Sequence, residues 1–515
     1  KAYANAFYGL IPGGVSVLDD TDSDIQVPNN INSFLWGQYV VPTEGGVWQK
    51  SNWQNIRNIN YFMTHYQSVQ AAEADVNIYV AEMRFFRALE YFNKIQLLGD
   101  VPWLEVDLNV DSEELYGPKM KRNQVFQKII EDLDFAIQWL PEAGSEEANR
   151  LNKDIARHVK ARFCLNEGTH YKYHDELEYA SEAEKWLQMA ATESDKLITS
   201  GRYEIYNTGH PQEDYFNMYR IDDKSDLKEA VLYVDYKTNI LEHNMAAAGR
   251  EAGCGFSKSF VESFLCSDGL PISLSNKYLG DETMRKETAN RDPRLKQLIL
   301  TNDFPTNVTD DLKDSTFVVN EDEFITQHCF TGYRPIKGFN PIYSQALYMK
   351  SSFDGIAYRY AETLLINAEA KAELNTITNA DLDRTVNQLR DRVGMPHLTV
   401  NVGFTDPKWP DWGYSLSPIL QEIRRERCIE LAGEGFRFND LKRWKAGKVL
   451  NNVLTYVGKR KPDGNLAIVY PNYTNPDLSY QAGKSRTWED KMYLYPIPTG
   501  ELQRNPQLLP QNPGW

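Results

Sequence analysis

Residues 421–447, QEIRRERCIELAGEGFRFNDLKRWKAG, decide how the rest of this chain is read. The stretch opens as an amphipathic helix in which Leu420, Ile423, Arg427 and Leu431 recur at helical spacing. Gly433 and Gly435 interrupt it, as glycine does where a helix stops or bends. A second short helix then carries Phe436, Phe438, Leu441 and Trp444. Five arginines (Arg424, Arg425, Arg427, Arg437, Arg443) alternate with Glu422, Glu426, Glu430, Glu434 and Asp440. Such alternation pairs charges along the motif and reads as a scaffold, not as an anion site.

Outward from this motif the pattern is helical on both sides. Asn52–Val69 and Glu73–Leu98 form a helical hairpin, and Gly99-Asp100 followed by Val101-Pro102 stops its second arm. Asn123–Leu140 and Lys153–Glu167 form a further pair, and Glu182–Thr199 carries an apolar stripe through Ala183, Trp186, Leu187, Ala190, Ala191, Leu197 and Ile198. Helices resume at Ile356–Leu374 and Ala380–Val393. Helix pairs that cannot bury their stripes alone read as a degenerate solenoid of tetratricopeptide type. Between them, residues 201–355 are rich in Gly, Pro, Asn and Asp, with strand-like runs at Val231–Tyr236 and Phe317–Val319. The expectation is a mainly α fold in one body spanning 1–515. Its helical-repeat scaffold covers 51–200 and 356–447, a loop-rich insertion with short strands covers 201–355, and an extended segment with turns at Pro471-Asn472 and Asn475-Pro476 covers 448–515.

The central motif also closely resembles the signature of the SusD/RagB family through Ile429, Glu430, Leu431, Ala432, Glu434, Gly435, Arg437, Phe438, Asp440, Leu441, Arg443 and Trp444. Four further segments resemble the same family in the same order: AEMRFFRALEYFNKIQLLGDVPW at Ala81–Trp103, SDGLPI at Ser267–Ile272 with RDPRL at Arg291–Leu295, YRYAETLLINAEA at Tyr358–Ala370, and the close from Tyr495-Pro496-Ile497-Pro498 to Asn512-Pro513-Gly514-Trp515. The resemblance implies a helical scaffold of degenerate repeats and a surface lipoprotein of the Gram-negative outer membrane. It implies glycan capture for a SusC-like TonB-dependent transporter, with no enzymatic activity and no cofactor. The alternatives are the same fold binding peptides, or a secreted glycoside hydrolase. The chain begins at Lys1, with no Met, basic segment or apolar core of a leader, and reads as a trimmed mature fragment. The resemblance implies a signal peptide and a lipidated cysteine upstream.

Composition agrees. With 56 basic and 72 acidic side chains the formal charge is −16, which disfavours nucleic acid as a partner. No apolar run approaches the ~20 residues that cross a bilayer. Five cysteines, an odd count at low density, are not a disulfide framework; Cys164, Cys329 and Cys428 read as buried residues, and the spacing leaves any pairing of Cys254 with Cys266 open.

Two constellations invite a metal reading. Asp20, Asp22 and Asp24 resemble the start of a calcium loop, but its sixth and twelfth positions hold Ile25 and Ile31, so a solvated acidic turn is the better account. His170 and His174 lie one helical turn apart without the glutamate of an H-E-x-x-H site, and read as surface histidines at a helix end. With 72 acidic side chains, candidate carboxylate pairs for glycoside hydrolysis carry no information.

A sugar site needs accessible aromatic faces flanked by amides and carboxylates, so the informative rings lie in polar loops. Three loops qualify: Ser33–Trp53 with Trp36, Tyr39, Trp48 and Trp53; Tyr333–Tyr348 with Phe339, Tyr343 and Tyr348; and Phe404–Tyr414 with Trp409 and Trp412. Trp53 opens the helix WQNIRNINYF and is assigned to the core. In the family that this chain resembles, ligand aromatics come from the loop before the first repeat helix and from the insertion. The resemblance therefore ranks the first two loops above the third, and the expected contacts are Trp36, Tyr39, Trp48, Phe339 and Tyr343.

Overall fold

The computed structural model describes residues 1–29, 32–468 and 486–515; the turns expected at Pro471-Asn472 and Asn475-Pro476 lie outside them. Five long helices come first: α1 (Gln54–His65), α2 (Glu73–Leu98), α3 (Arg122–Trp139), α4 (Lys153–Tyr173) and α5 (Ala183–Ser200). Each packs on the next, and α5 carries the stack to α6 (Tyr360–Glu373), which packs in turn on the signature helix α9 (Pro418–Glu430). Two short helices, α7 (Asn379–Asp383) and α8 (Val386–Arg392), precede α9, and α10 (Arg437–Arg443) follows it.

Local chemistry sets the ends. Gly99 closes α2 at φ +74°, where its N–H donates to the Ile95 carbonyl at 3.0 Å. The Asn152 side chain caps α4 by accepting from the Ile155 N–H at 3.0 Å. α2 buries two faces: Phe85, Phe86 and Ile95 enter the main core, while Arg87 reaches Asp132 on α3 through two bonds of 2.7 Å. Phe92 and Phe163 stack with centroids 3.6 Å apart. Helices α4 and α5 touch at Gly168, where a Cβ would sit 2.9 Å from the Leu187 backbone nitrogen, so only glycine permits that approach.

Residues 356–359, expected to open a helix, instead belong to strand β6 (Gly355–Arg359), antiparallel to β2 (Ala230–Val234) with Tyr233 opposite Ile356. Pairing with β2 satisfies this backbone and delays the helix to Tyr360. Three other two-stranded antiparallel sheets complete the strands: β1 (Gln26–Pro28) with β3 (Cys254–Phe256), β4 (Pro305–Val308) with β5 (Ser315–Phe317), and β7 (Val457–Arg460) with β8 (Leu466–Ile468). The insertion has its own core, in which Tyr215, Phe256, Phe260, Leu298, Tyr333 and Phe339 join Ile429 and Ala432 from the signature. The five cysteines are free thiols. Among the described residues no helix is long and apolar enough to cross a membrane.

The signature's charges pair mostly with distant elements. Within the motif, Arg427 and Arg443 share Asp440 at 2.8 and 2.9 Å. Beyond it, Arg424 reaches Glu373 at 3.0 Å, Arg443 reaches Glu369 at 2.5 Å and Arg437 clasps Asp24 at 2.7 and 2.8 Å. The Glu430 carboxylate collects Arg392 at 2.6 Å, Arg359 at 2.5 Å and Arg294 at 3.1 Å, so the RDPRL and YRYAE segments meet here. Trp444 is fully buried and donates its indole N–H to Glu369 at 2.8 Å.

The acidic turn is solvated only at Asp22, which is exposed. Asp20 and Asp24 are buried, and Asp20 accepts the N–H groups of Gly433 at 2.7 Å and Arg437 at 2.9 Å. Gly433 takes φ +83° and would place a Cβ 2.2 Å from the Val17 carbonyl, so glycine there lets the N-terminal strap lie against the signature. Nor are His170 and His174 surface residues; both are buried, and His174 donates through Nε2 to the Lys442 carbonyl at 2.9 Å.

Candidate functional site

The five expected aromatics separate by burial. Phe339 is wholly enclosed, because a tight turn (Phe339 N–H to the Ile336 carbonyl, 2.8 Å) folds it onto Phe304 in the insertion core. Trp36 is only 9% exposed. The Asn32 side chain satisfies the N–H groups of Phe34 and Leu35 at 2.9 and 3.3 Å, and the resulting turn tucks Phe34, Leu35 and Trp36 into a third core beside Tyr456. Neither ring offers a face to a ligand. Tyr39 and Trp48 are half-buried: Tyr39 meets Tyr495 and Trp515 edge-on, and Trp48 leans on Trp53 at 5.1 Å. Tyr343 is half exposed, held by its N–H to the Val308 carbonyl at 3.0 Å. Among the described residues no ring pairing joins Tyr343 to Tyr39 or Trp48, so these rings are separate surface features.

The third loop, ranked last from the sequence, instead walls a groove of about 600 Å³. Its sides come from Asp406–Gly413, from Gln421, Arg424 and Arg425 on α9, from Ser259, Glu262 and Ser263 of the insertion, and from Lys448–Leu454 beyond the signature. That volume lies within the roughly 300–1,000 Å³ of small-molecule sites. Asp406 ties the loop down, accepting from Arg425 at 2.6 Å, from the Ser273 hydroxyl at 2.8 Å and from the Lys408 N–H at 2.9 Å. Trp412 is buried at the floor, its indole N–H on Gln421 at 2.6 Å and its edge toward Trp444. Trp409 is half-buried, held by its N–H to Glu422 at 2.7 Å. Both indoles are thus fixed before any ligand arrives, which lowers the entropy that binding must cost.

The polar lining is set by pairing. Lys408 contacts Glu262 at 2.8 Å, and Arg424 is set against Glu373. Burial works against the Arg424 cation, but the Glu373 carboxylate more than offsets it and lifts its pKa above the ordinary value. Lys448, Asp411, Asn451 and Asn452 are exposed at the rim. The Nε of Arg425 is enclosed and has no partner among the described residues. Sequence reasoning missed Ser259, Glu262, Lys448, Asn451 and Asn452, since the fold alone brings them beside Trp409. The only signal available was the pair of tryptophans in a Pro/Gly/Asp loop. Among the described residues no cluster of His, Cys, Asp or Glu could hold a metal ion.

Comparison with known proteins places this architecture. The SusD family profile matches residues 198–515, and the chain belongs to that family. SusD-like protein P2 of Formosa agariphila is 24% identical over 456 residues, covering 86% of this chain and 75% of its own. A SusD-like protein of Bacteroides fragilis superposes with a TM-score of 0.75 at 24% identity, over 100% of this chain and 96% of that one. A SusD-like carbohydrate binding protein of the same species gives 0.71 at 20% identity, over 99% and 98%.

Proposed function

We propose that this protein is a non-enzymatic glycan receptor, lipid-anchored at the outer-membrane surface, which captures an oligo- or polysaccharide and passes it to a SusC-like TonB-dependent transporter. Membership of the SusD family and a structural relative described as carbohydrate binding support the ligand class. The observation that carries it is the groove. Trp409 offers an indole face, and Asn451, Asn452 and Lys448 line the groove with it and can bond sugar hydroxyls. Its acids are spent on structure: Asp406 fixes the loop, Glu262 pairs with Lys408, and Asp411 accepts the Gly413 N–H at 2.9 Å. Glycoside hydrolysis needs two opposed carboxyl groups with one free to donate a proton. Tyr39, Trp48 and Tyr343 serve as outlying stacking platforms for a long chain. Transport energy comes from the partner.

Affinity electrophoresis through gels containing a panel of polysaccharides tests this. Retardation by at least one glycan, with no new reducing ends on incubation, is the expected result. Retardation by none, or reducing ends that grow with protein concentration and survive repurification, overturns it.

A further inference from the structure

Where the ends of α2, α4 and α10 meet the start of α3, cations crowd together and one of them lacks a counter-charge. Arg122 is held by Glu167 through bonds of 2.8 and 2.6 Å, and Arg443 by Glu369 at 2.5 Å and Asp440 at 2.9 Å. Glu176 takes Lys445 at 2.7 Å and lies 3.2 Å from His174. Lys442 differs. It is buried, gives one hydrogen to the Gln96 carbonyl at 2.7 Å, and meets no carboxylate among the described residues. The charge that bears on it is another cation, Arg122. A buried ammonium left in that state is costly unless an anion joins it.

Lys442 borders a recess that it shares with Gln96, Asn166, His170, Asn439 and Arg443. The recess leaves about 10 Å³ for the centre of a water-sized sphere, which is room for one small occupant. Gln96, Asn166, Asn439 and Arg443 also line a larger cleft of about 440 Å³ beneath the N-terminal strap, and this gives a way in. Asp19, an exposed carboxylate of that cleft, does not border the recess. The lining supplies donors. His170 is buried, and its ring nitrogens bond to no described residue. Burial, followed by the charges of Arg122, His174, Lys442 and Lys445, holds its pKa well below the ordinary value, so the ring is neutral and keeps one N–H to give. The side-chain amides of Asn166 and Asn439 are likewise bonded to no described residue. A phosphate or carboxylate would need more room and a free guanidinium fork, and both arginines here are spent. A monatomic anion needs only convergent N–H donors and one compensating cation.

We propose that this recess binds a chloride ion, held by the Lys442 ammonium with the His170 ring and the Asn166 and Asn439 amides as further donors. The site lies apart from the groove and does not depend on what the groove binds. Bromide, a heavier halide visible by anomalous scattering, tests it directly. Crystals of the intact chain grown in sodium bromide at about pH 6, where Lys442 carries its proton, should show an anomalous peak in the recess. The peak should vanish in Lys442→Met. In solution, the wild-type melting temperature should be higher in sodium chloride than in sodium gluconate of equal ionic strength, because an ion bound only by the folded state stabilises it. Lys442→Met should melt alike in the two salts. If that variant does not fold, Asn439→Ala, which removes no bond to a described residue, should need about tenfold more bromide for the same peak. The proposal is overturned by the lack of a wild-type peak in the recess, by a peak unchanged in the substituted proteins, or by equal wild-type melting in the two salts.

Discussion

Replacing Glu430 with Gln tests the heart of the fold without changing its shape. The Glu430 carboxylate has no solvent exposure and meets Arg392, Arg359 and Arg294. The surrounding cluster is balanced: Arg294, Arg359, Arg390, Arg392 and Lys337 face Asp292, Glu229, Glu426, Glu430 and Glu434. Glu430→Gln leaves one buried positive charge uncompensated and opens no cavity, so its effect is electrostatic. Breaking a buried pair from one side costs about 3–5 kcal/mol, and that is the expected loss. Urea unfolding followed by tryptophan fluorescence should shift its midpoint with little change in slope. Adding Arg392→Gln to Glu430→Gln should cost less than the two singles summed, because the double variant restores neutrality. Acid supplies a second reading. Burial opposes ionisation of Glu430, yet Arg392, Arg359 and Arg294 hold its pKa well below the ordinary 4.5. Its contribution is therefore complete above about pH 4.5 and lost as pH falls toward the folded value, so Glu430→Gln should flatten that acid limb. A loss under about 1 kcal/mol, or strictly additive singles, would refute the reasoning.

Trp444→Ala should cost about 3–5 kcal/mol in the same assay, since it empties a buried site and strands the Glu369 bond, whereas Trp444→Phe should cost less. Burial, helped by Arg122, pushes the Lys442 ammonium down to about 7 from an ordinary 10.5. The folded state therefore holds fewer protons than the unfolded one between those values, so stability should rise across pH 7–10.5, and melting curves of Lys442→Met should lose part of that rise. Trp409→Ala should weaken binding of whichever polysaccharide retards the protein about tenfold, about 1.4 kcal/mol, with little salt dependence for a neutral glycan; unchanged mobility in the gel removes the groove as the site.

The scaffold was legible because its determinants are local. Glu73–Leu98 could be bounded to the residue, since Gly99 and Pro102 end the helix by their own backbone chemistry. Strand β6 was not, because Ile-Ala-Tyr-Arg takes its conformation from β2, more than a hundred residues earlier. The same distance effect misplaced Asp20 and Asp24. Asp20, Asp22 and Asp24 look alike in sequence, and only the fold, by bringing Arg437 and the Gly433 and Arg437 amides from some four hundred positions away, buries Asp20 and Asp24 while Asp22 stays exposed.

The aromatic loops make the point for function. Trp36 and Trp409 both lie in turn-rich loops, although Trp36 follows the apolar pair Phe34-Leu35 and Trp409 sits between Lys408 and Pro410. Asn32 satisfies the backbone around Trp36 and so permits its burial, whereas the bond from Trp409 to Glu422 holds that ring half-exposed at the edge of a space. Which tryptophan stays accessible depends on partners that only the folded chain supplies. The groove lined by Glu262, Trp409, Arg425 and Asn452 is a property of four converging segments, so the sequence could display its aromatic ring but not the polar groups the fold brings beside it.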